Sequence, residues 1–161
     1  VKSLDLLFNT STPFKPMKIN VSTPVAQNAQ SVWQNFNINL FEALNPPFPP
    51  VKVLRFDGSE KGNEVHLELD FLFFKQKWVS LIVKQKETAE EIYFIYECTE
   101  MPFFPKFWRH KHRIIKNENG GSTIRDEINF RSPFLLLDYL LYPTMLLQFA
   151  YRKPIYKKYF K

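Results

Sequence analysis

The chain has 161 residues, 45% of them hydrophobic and 17% aromatic, including 17 Phe, which fits one domain with a sizeable core. Its net charge of +6 is local: five of the 22 basic residues crowd into the closing "YRKPIYKKYFK", leaving 17 against 16 acidic residues in the remainder, so the body gives no sign of a nucleic-acid binder. A single cysteine, Cys98, excludes an intrachain disulfide, and no apolar run reaches the roughly 18 residues of a bilayer span.

The opening "VKSLDLLFNTSTPFK" has a short apolar patch broken by Asp5 and lacks a cleavage-site pattern. Residues 1–16 are therefore read as an N-terminal extension rather than a signal peptide, residues 17–161 as a single domain, and the expected location as cytoplasmic. With only 4 Gly, punctuation falls to 12 Pro and to polar clusters. "MKINVS" (17–22) alternates and predicts a strand. In "TPVAQNAQSVWQNF" Thr23 suits a cap, Pro24 the first helical position, and Val25, Val32, Trp33 and Phe36 recur near helical spacing. A second short helix, "NLFEALN" (39–45), stops at the doublets Pro46-Pro47 and Pro49-Pro50.

Six strands follow, at 51–57, 64–73, 77–86, 92–100, 106–116 and 122–131, joined as hairpins by polar or Gly-bearing breaks. The closing "SPFLLLDYLLYPTMLLQFAYRKPIYKKYF" is apolar nearly all round. It predicts one helix from about Pro133 to Tyr159, with a kink expected at Pro143 and at least one buried face. The fold class is α+β: a curved antiparallel sheet gripping a long C-terminal helix, with two short helices after the first strand.

Chemistry concentrates in "FWRHKHRI" (107–114). Side chains alternate along a strand, so Trp108, His110, His112 and Ile114 share one face, and Arg109, Lys111 and Arg113 the other. Setting Lys116 opposite Ser122 pairs Trp108 with Phe130, His110 with Ile128, His112 with Asp126 and Ile114 with Ile124, while Lys111 meets Glu127 behind. A one-residue slip destroys both patterns. The inner face is then apolar with three polar intruders, and Asp126 is the natural partner of His112. Rings and cations point opposite ways, which argues against nucleic acid. His110, His112 and Asp126 would make a two-His, one-carboxylate metal set, yet a hydrogen-bonded His–Asp pair already accounts for them. No metal and no cofactor are expected. The inward rings fit a solid ring-filled core and a ring-lined cavity equally.

"WRHKHRIIKNENGGSTIRDEINFRSP" resembles the Trp-x-His-x-His signature of the START-like (SRPBCC) superfamily, specifically its bacterial ligand-binding branch grouped with polyketide cyclase/dehydrase and coenzyme-Q-binding-type proteins. Gly120, Gly121, Asp126 and Pro133 take the places of that branch's Gly-Gly turn, Asp and helix-heading Pro, although Ser122 separates the glycines from Thr123. "LFEALNPPFPPVKV", "WVSLI" (Trp78 to Ile82) and "FAYR" (Phe149 to Arg152) are further matches. The chain departs from the pattern in a longer "FFPKF" and in Leu135 to Leu137, which replace a glycine-rich helix start. The resemblance implies the helix-grip fold, a seven-stranded antiparallel sheet around the last helix with an apolar cavity between.

The function that follows is binding or carrying a small hydrophobic molecule: a lipid, polyketide or quinone-like compound. Trp78, Ile82, Phe94, Tyr96, Trp108, Ile128, Phe130, Met145 and Phe149 would supply apolar contact, and His110, His112 and Asp126 would orient a polar end. The alternative is a cyclase/aromatase- or dehydratase-type enzyme with His112 as general base, held by Asp126. His66 is expected to face outward and Cys98 to be a small core or rim residue. The basic C-terminus is read as solvated surface, with contact to a membrane surface as a further option. Oligomeric state leaves no trace in the sequence.

Overall fold

Period-two alternation builds one seven-stranded antiparallel sheet, ordered β1-β7-β6-β5-β4-β3-β2, in a computed structural model that describes residues 15–101 and 105–161. Its strands are β1 (Met17–Val25), β2 (Val51–Phe56), β3 (Glu64–Asp70), β4 (Lys75–Glu87), β5 (Glu91–Glu100), β6 (Phe107–Lys116) and β7 (Ser122–Arg131). Two short helices, α1 (Ala29–Gln34) and α2 (Ile38–Ala43), follow β1, and α3 (Leu135–Ala150) and α4 (Arg152–Tyr159) close the chain. This is the expected helix-grip architecture. The β6–β7 register is the predicted one throughout, from Phe107↔Arg131 to Lys116↔Ser122. Residues 1–14 of the expected N-terminal extension, and Phe103 and Phe104 of "FFPKF", lie outside the described residues.

Three boundaries differ, each for a physical reason. Pro24 does not open a helix: β1 runs through it to Val25, paired with Ser122. β1 is an edge strand, where a missing donor costs no ladder bond. α1 starts instead at Ala29, where the Asn28 side chain accepts from Ser31 N at 2.9 Å, and Asn37 caps α2 likewise. β3 ends at Asp70 rather than at residue 73. The Asp70 carboxylate accepts from Leu72 N at 2.9 Å, Leu72 sits at φ +72°, and Phe71 N donates to Phe74 O, closing a tight turn that leaves Phe73 95% exposed.

The third difference is at the C-terminus. Pro143 lies inside α3 without ending it, and the break falls at Tyr151. Pro154 has no N–H for the Ala150 carbonyl one turn earlier, so the ladder cannot run continuously there. Nor is the tail a solvated strip. Lys153, Lys157, Lys158 and Lys161 are exposed, but Tyr156 and Phe160 are buried against Val25, Ala29, Val32, Leu40, Ile114 and Ile124. Ala26 N donates to Phe160 O at 3.2 Å, which ties the chain's end to its first strand. Along α3 only Asp138 and Phe149 are buried, and Leu136, Leu140 and Leu147 face outward. Among the described residues no helix is long and apolar enough to cross a membrane.

Candidate functional site

α3 packs across β1 and β7, and this placement divides the concave face in two. Over β7 the helix fills the space: Ile128, Phe130, Ile19 and Val21 form a solid cluster with Phe149 and Trp108. Over β3 to β6 it leaves a cavity of about 310 Å³, within the range of small-molecule sites. β3 presents Val65, Leu67 and Leu69 to it, Phe71 comes from the turn that follows, and the other sheet residues are Val51, Trp78, Ser80, Tyr96, Trp108, His110 and His112. Phe36, Phe41, Leu44 and Phe48 close the side nearest α2, and Leu141, Thr144, Met145, Gln148, Phe149 and Arg152 come from α3 and α4.

Of the residues expected to contact a ligand, Trp78, Tyr96, Trp108, His110, His112, Met145 and Phe149 line this cavity. Five do not. Ile128 and Phe130 lie under α3. Phe94 is fully covered by Trp33 and Phe36, at ring distances of 5.6 and 5.4 Å. Ile82 is fully buried in the same cluster with Val65. Asp126 stands behind the histidines, 1% exposed. The sequence reading missed the helix residues Leu141, Thr144, Gln148 and Arg152. Their 3–4 spacing with Met145 and Phe149 is the signal that would have found them.

The histidines need a second correction. Asp126 lies opposite His112 in the ladder, but the aligned hydrogen bond joins its Oδ1 to His110 Nε2, at 2.9 Å. His112 Nδ1 approaches the same oxygen to 2.7 Å without the alignment of a hydrogen bond, and makes none elsewhere. The contact is mainly electrostatic. Burial, with the charge of His112, depresses His110 to about 3. Burial pushes the Asp126 carboxyl up, but His112's charge and the contacts with both rings outweigh it and hold the group well below the usual carboxylate range. The ligand atoms of His110, His112 and Asp126 all lie within 4.8 Å of one another, so these are the residues that could hold a metal ion.

Neutral His110 makes stability depend on pH. The folded state resists protonation down to about 3, while the unfolded chain takes up the proton near 6.5. This contribution is complete above about 6.5 and lost as pH falls towards 3; Asp126, depressed in the fold, loses its own contribution further down, below about 4. Denaturant midpoints should therefore fall steadily from pH 6.5 to 4. His110→Gln, which keeps a donor for Asp126 but cannot titrate, should flatten that fall. An unchanged slope in the variant would rule out His110 as the titrating group.

Elsewhere the chemistry is quiet. Burial raises the Cys98 thiol to about 12, and its Sγ lies 3.5 Å from Ser80 Oγ, so it is no ready nucleophile. His66 points away from the cavity and bonds Glu64 at 2.8 Å. The outer cations are ion-paired, Arg109 with Glu97, Lys111 with Glu91, and Arg113 with Glu91 and Glu127.

No family model and no curated protein sequence matches the chain. Solved structures do. An aromatase/cyclase, Zhui, from Streptomyces sp. R1128 superposes with a TM-score of 0.53 at 18% identity, over 73% of this chain and 69% of that one. Norcoclaurine synthase from Thalictrum flavum, in complex with dopamine and hydroxybenzaldehyde, gives 0.59 at 12% identity over 83% and 82%. A START superfamily protein from Mycobacterium smegmatis gives 0.56 at 11% identity over 83% and 91%. The chain thus shares the helix-grip fold of these proteins.

Proposed function

We propose that residues 17–161 form a single ligand-binding domain that binds or carries a small hydrophobic molecule, with no cofactor. The observation that carries the reading is the cavity itself: most of its wall is aliphatic and aromatic, and the histidine pair supplies a polar end. Trp108, 8% exposed, stands edge-on to Trp78 at 5.0 Å and stacks near Phe149 at 6.2 Å, a ring surface suited to a flat or acyl ligand. Fold alone does not choose among carriers, receptors and enzymes.

A cyclase- or dehydratase-type reaction has one observation in its favour, a carboxylate-bonded histidine facing the cavity. Its weakness is quantitative. A general base works best with a pKa near the operating pH and a partner that holds it; burial keeps the carboxylate-bonded His110 well below that range, and His112, the expected base, makes no aligned hydrogen bond to Asp126. Binding is the better reading.

N-phenyl-1-naphthylamine, a neutral apolar dye, should bind at one saturable site. Trp108→Ala should weaken it by about 1–3 kcal/mol through lost ring contact, and Arg109→Ala, on the outer face, should leave it unchanged. Loss of binding in the Arg109 variant with none in the Trp108 variant would place the site elsewhere.

A further inference from the structure

We propose that the ligand is an amphipathic monoanion, an aromatic or acyl carboxylic acid whose head group sits at Arg152. This rests on the reading of the cavity as a hydrophobic ligand site and names the ligand's class. Arg152 is the only permanently charged side chain among the described residues lining the cavity, and no carboxylate faces it there. The guanidinium groups of Arg55, Arg109 and Arg113 each have a carboxylate partner within 4 Å. Arg152 makes no such pair among the described residues. Asp126, the nearest candidate in chemistry, is engaged by His110 and His112.

Arg152 is also positioned. It is half-buried, with its guanidinium 4.4 Å over the ring of Phe149, itself 4% exposed. Thr144 and Gln148 on α3 and Arg152 at the start of α4 all line the cavity, so the two helices together offer it a short polar strip. A half-desolvated guanidinium without a counter-ion is costly, and a planar carboxylate is the group its fork of donors fits best. The bound acid would supply the missing partner, while its apolar body replaces water along Trp78 and Trp108.

Two displacement probes with the same rings test this: 2-naphthoate and the neutral 2-naphthamide, each competing with N-phenyl-1-naphthylamine on the full chain. Wild type should favour naphthoate by about tenfold or more, the scale of a charge-assisted pair. Arg152→Gln should bring the naphthoate-to-naphthamide ratio to about one, and Arg152→Lys should retain part of the preference. Thermal unfolding establishes that each variant is folded, and the ratio is read within each. Equal binding of the two probes by wild type, or a preference surviving in Arg152→Gln, overturns the anionic head group and leaves the hydrophobic cavity standing. Failure of the dye itself to bind wild type overturns the cavity reading, and this one with it.

Discussion

Deleting residues 152–161 should abolish cooperative folding, although the segment reads as a charged tail. Tyr156 and Phe160 are 0% and 1% exposed and belong to the cluster that joins α1, α2, β1 and β5 to β7. Removing one such ring typically costs about 3–5 kcal/mol, against a total stability of roughly 5–15 kcal/mol for a domain. Losing both, with the capping contact of Phe160 O to Ala26 N, exceeds what a marginal fold tolerates. Graded variants separate packing from charge. Phe160→Ala should lower stability by about 3–5 kcal/mol. Tyr156→Phe should cost under about 1 kcal/mol, because its buried hydroxyl makes no well-aligned hydrogen bond and has only the nearby Arg152 guanidinium to lose. Lys157→Gln and Lys158→Gln should stay within about 0.5 kcal/mol. Denaturant titrations give these values directly, and a truncated chain with the wild-type midpoint would show that α4 contributes nothing to the core.

The second large effect belongs to Asp126. Its Oδ1 faces both His110 and His112 at 1% exposure, so replacing either ring alone leaves the other in place. The double variant His110→Leu with His112→Leu strands a buried carboxylate. Stranding a buried charge costs about 3–5 kcal/mol, and the carboxyl should rise from its depressed value to well above the ordinary range. Adding Asp126→Leu should recover most of that loss, since no unpaired polar group remains. A triple variant no more stable than the double would mean that packing rather than charge sets the penalty.

Period two made the sheet legible. On β6 and β7 most apolar residues sit on one parity and most charges on the other, with Asp126 the buried exception, so register, hairpin pairing and the inward aim of Trp108, His110 and His112 could be read from neighbours alone. What the sequence withheld depends on distant elements. Whether an inward residue meets a void or a helix follows from α3 crossing β1 and β7, and that is why Phe130 is core while Trp108 lines the cavity. Pro24 reads as a helix start until β1 is known to be an edge. Asp126 reaches diagonally to His110 because side-chain rotamers, not Cα pairing, set hydrogen-bond geometry. Tyr156 and Phe160 do stand four apart, but the lysines between them mask the inward face.

Among the described residues β1 has one ladder partner, β7, and it arrives late. Arg125 of β7 donates to Ser22 across 103 positions, and Gln27 donates to the Lys161 carbonyl across 134. On a ribosome β1 therefore waits as an unpaired apolar strand while β2 to β6 are made, and those strands can hairpin locally without it. The seam between first strand, seventh strand and last helix joins segments far apart in sequence, so its loop entropy is repaid only when all three are present. Folding of this chain should be slow for its size, and its waiting first strand is the segment most exposed to wrong pairing.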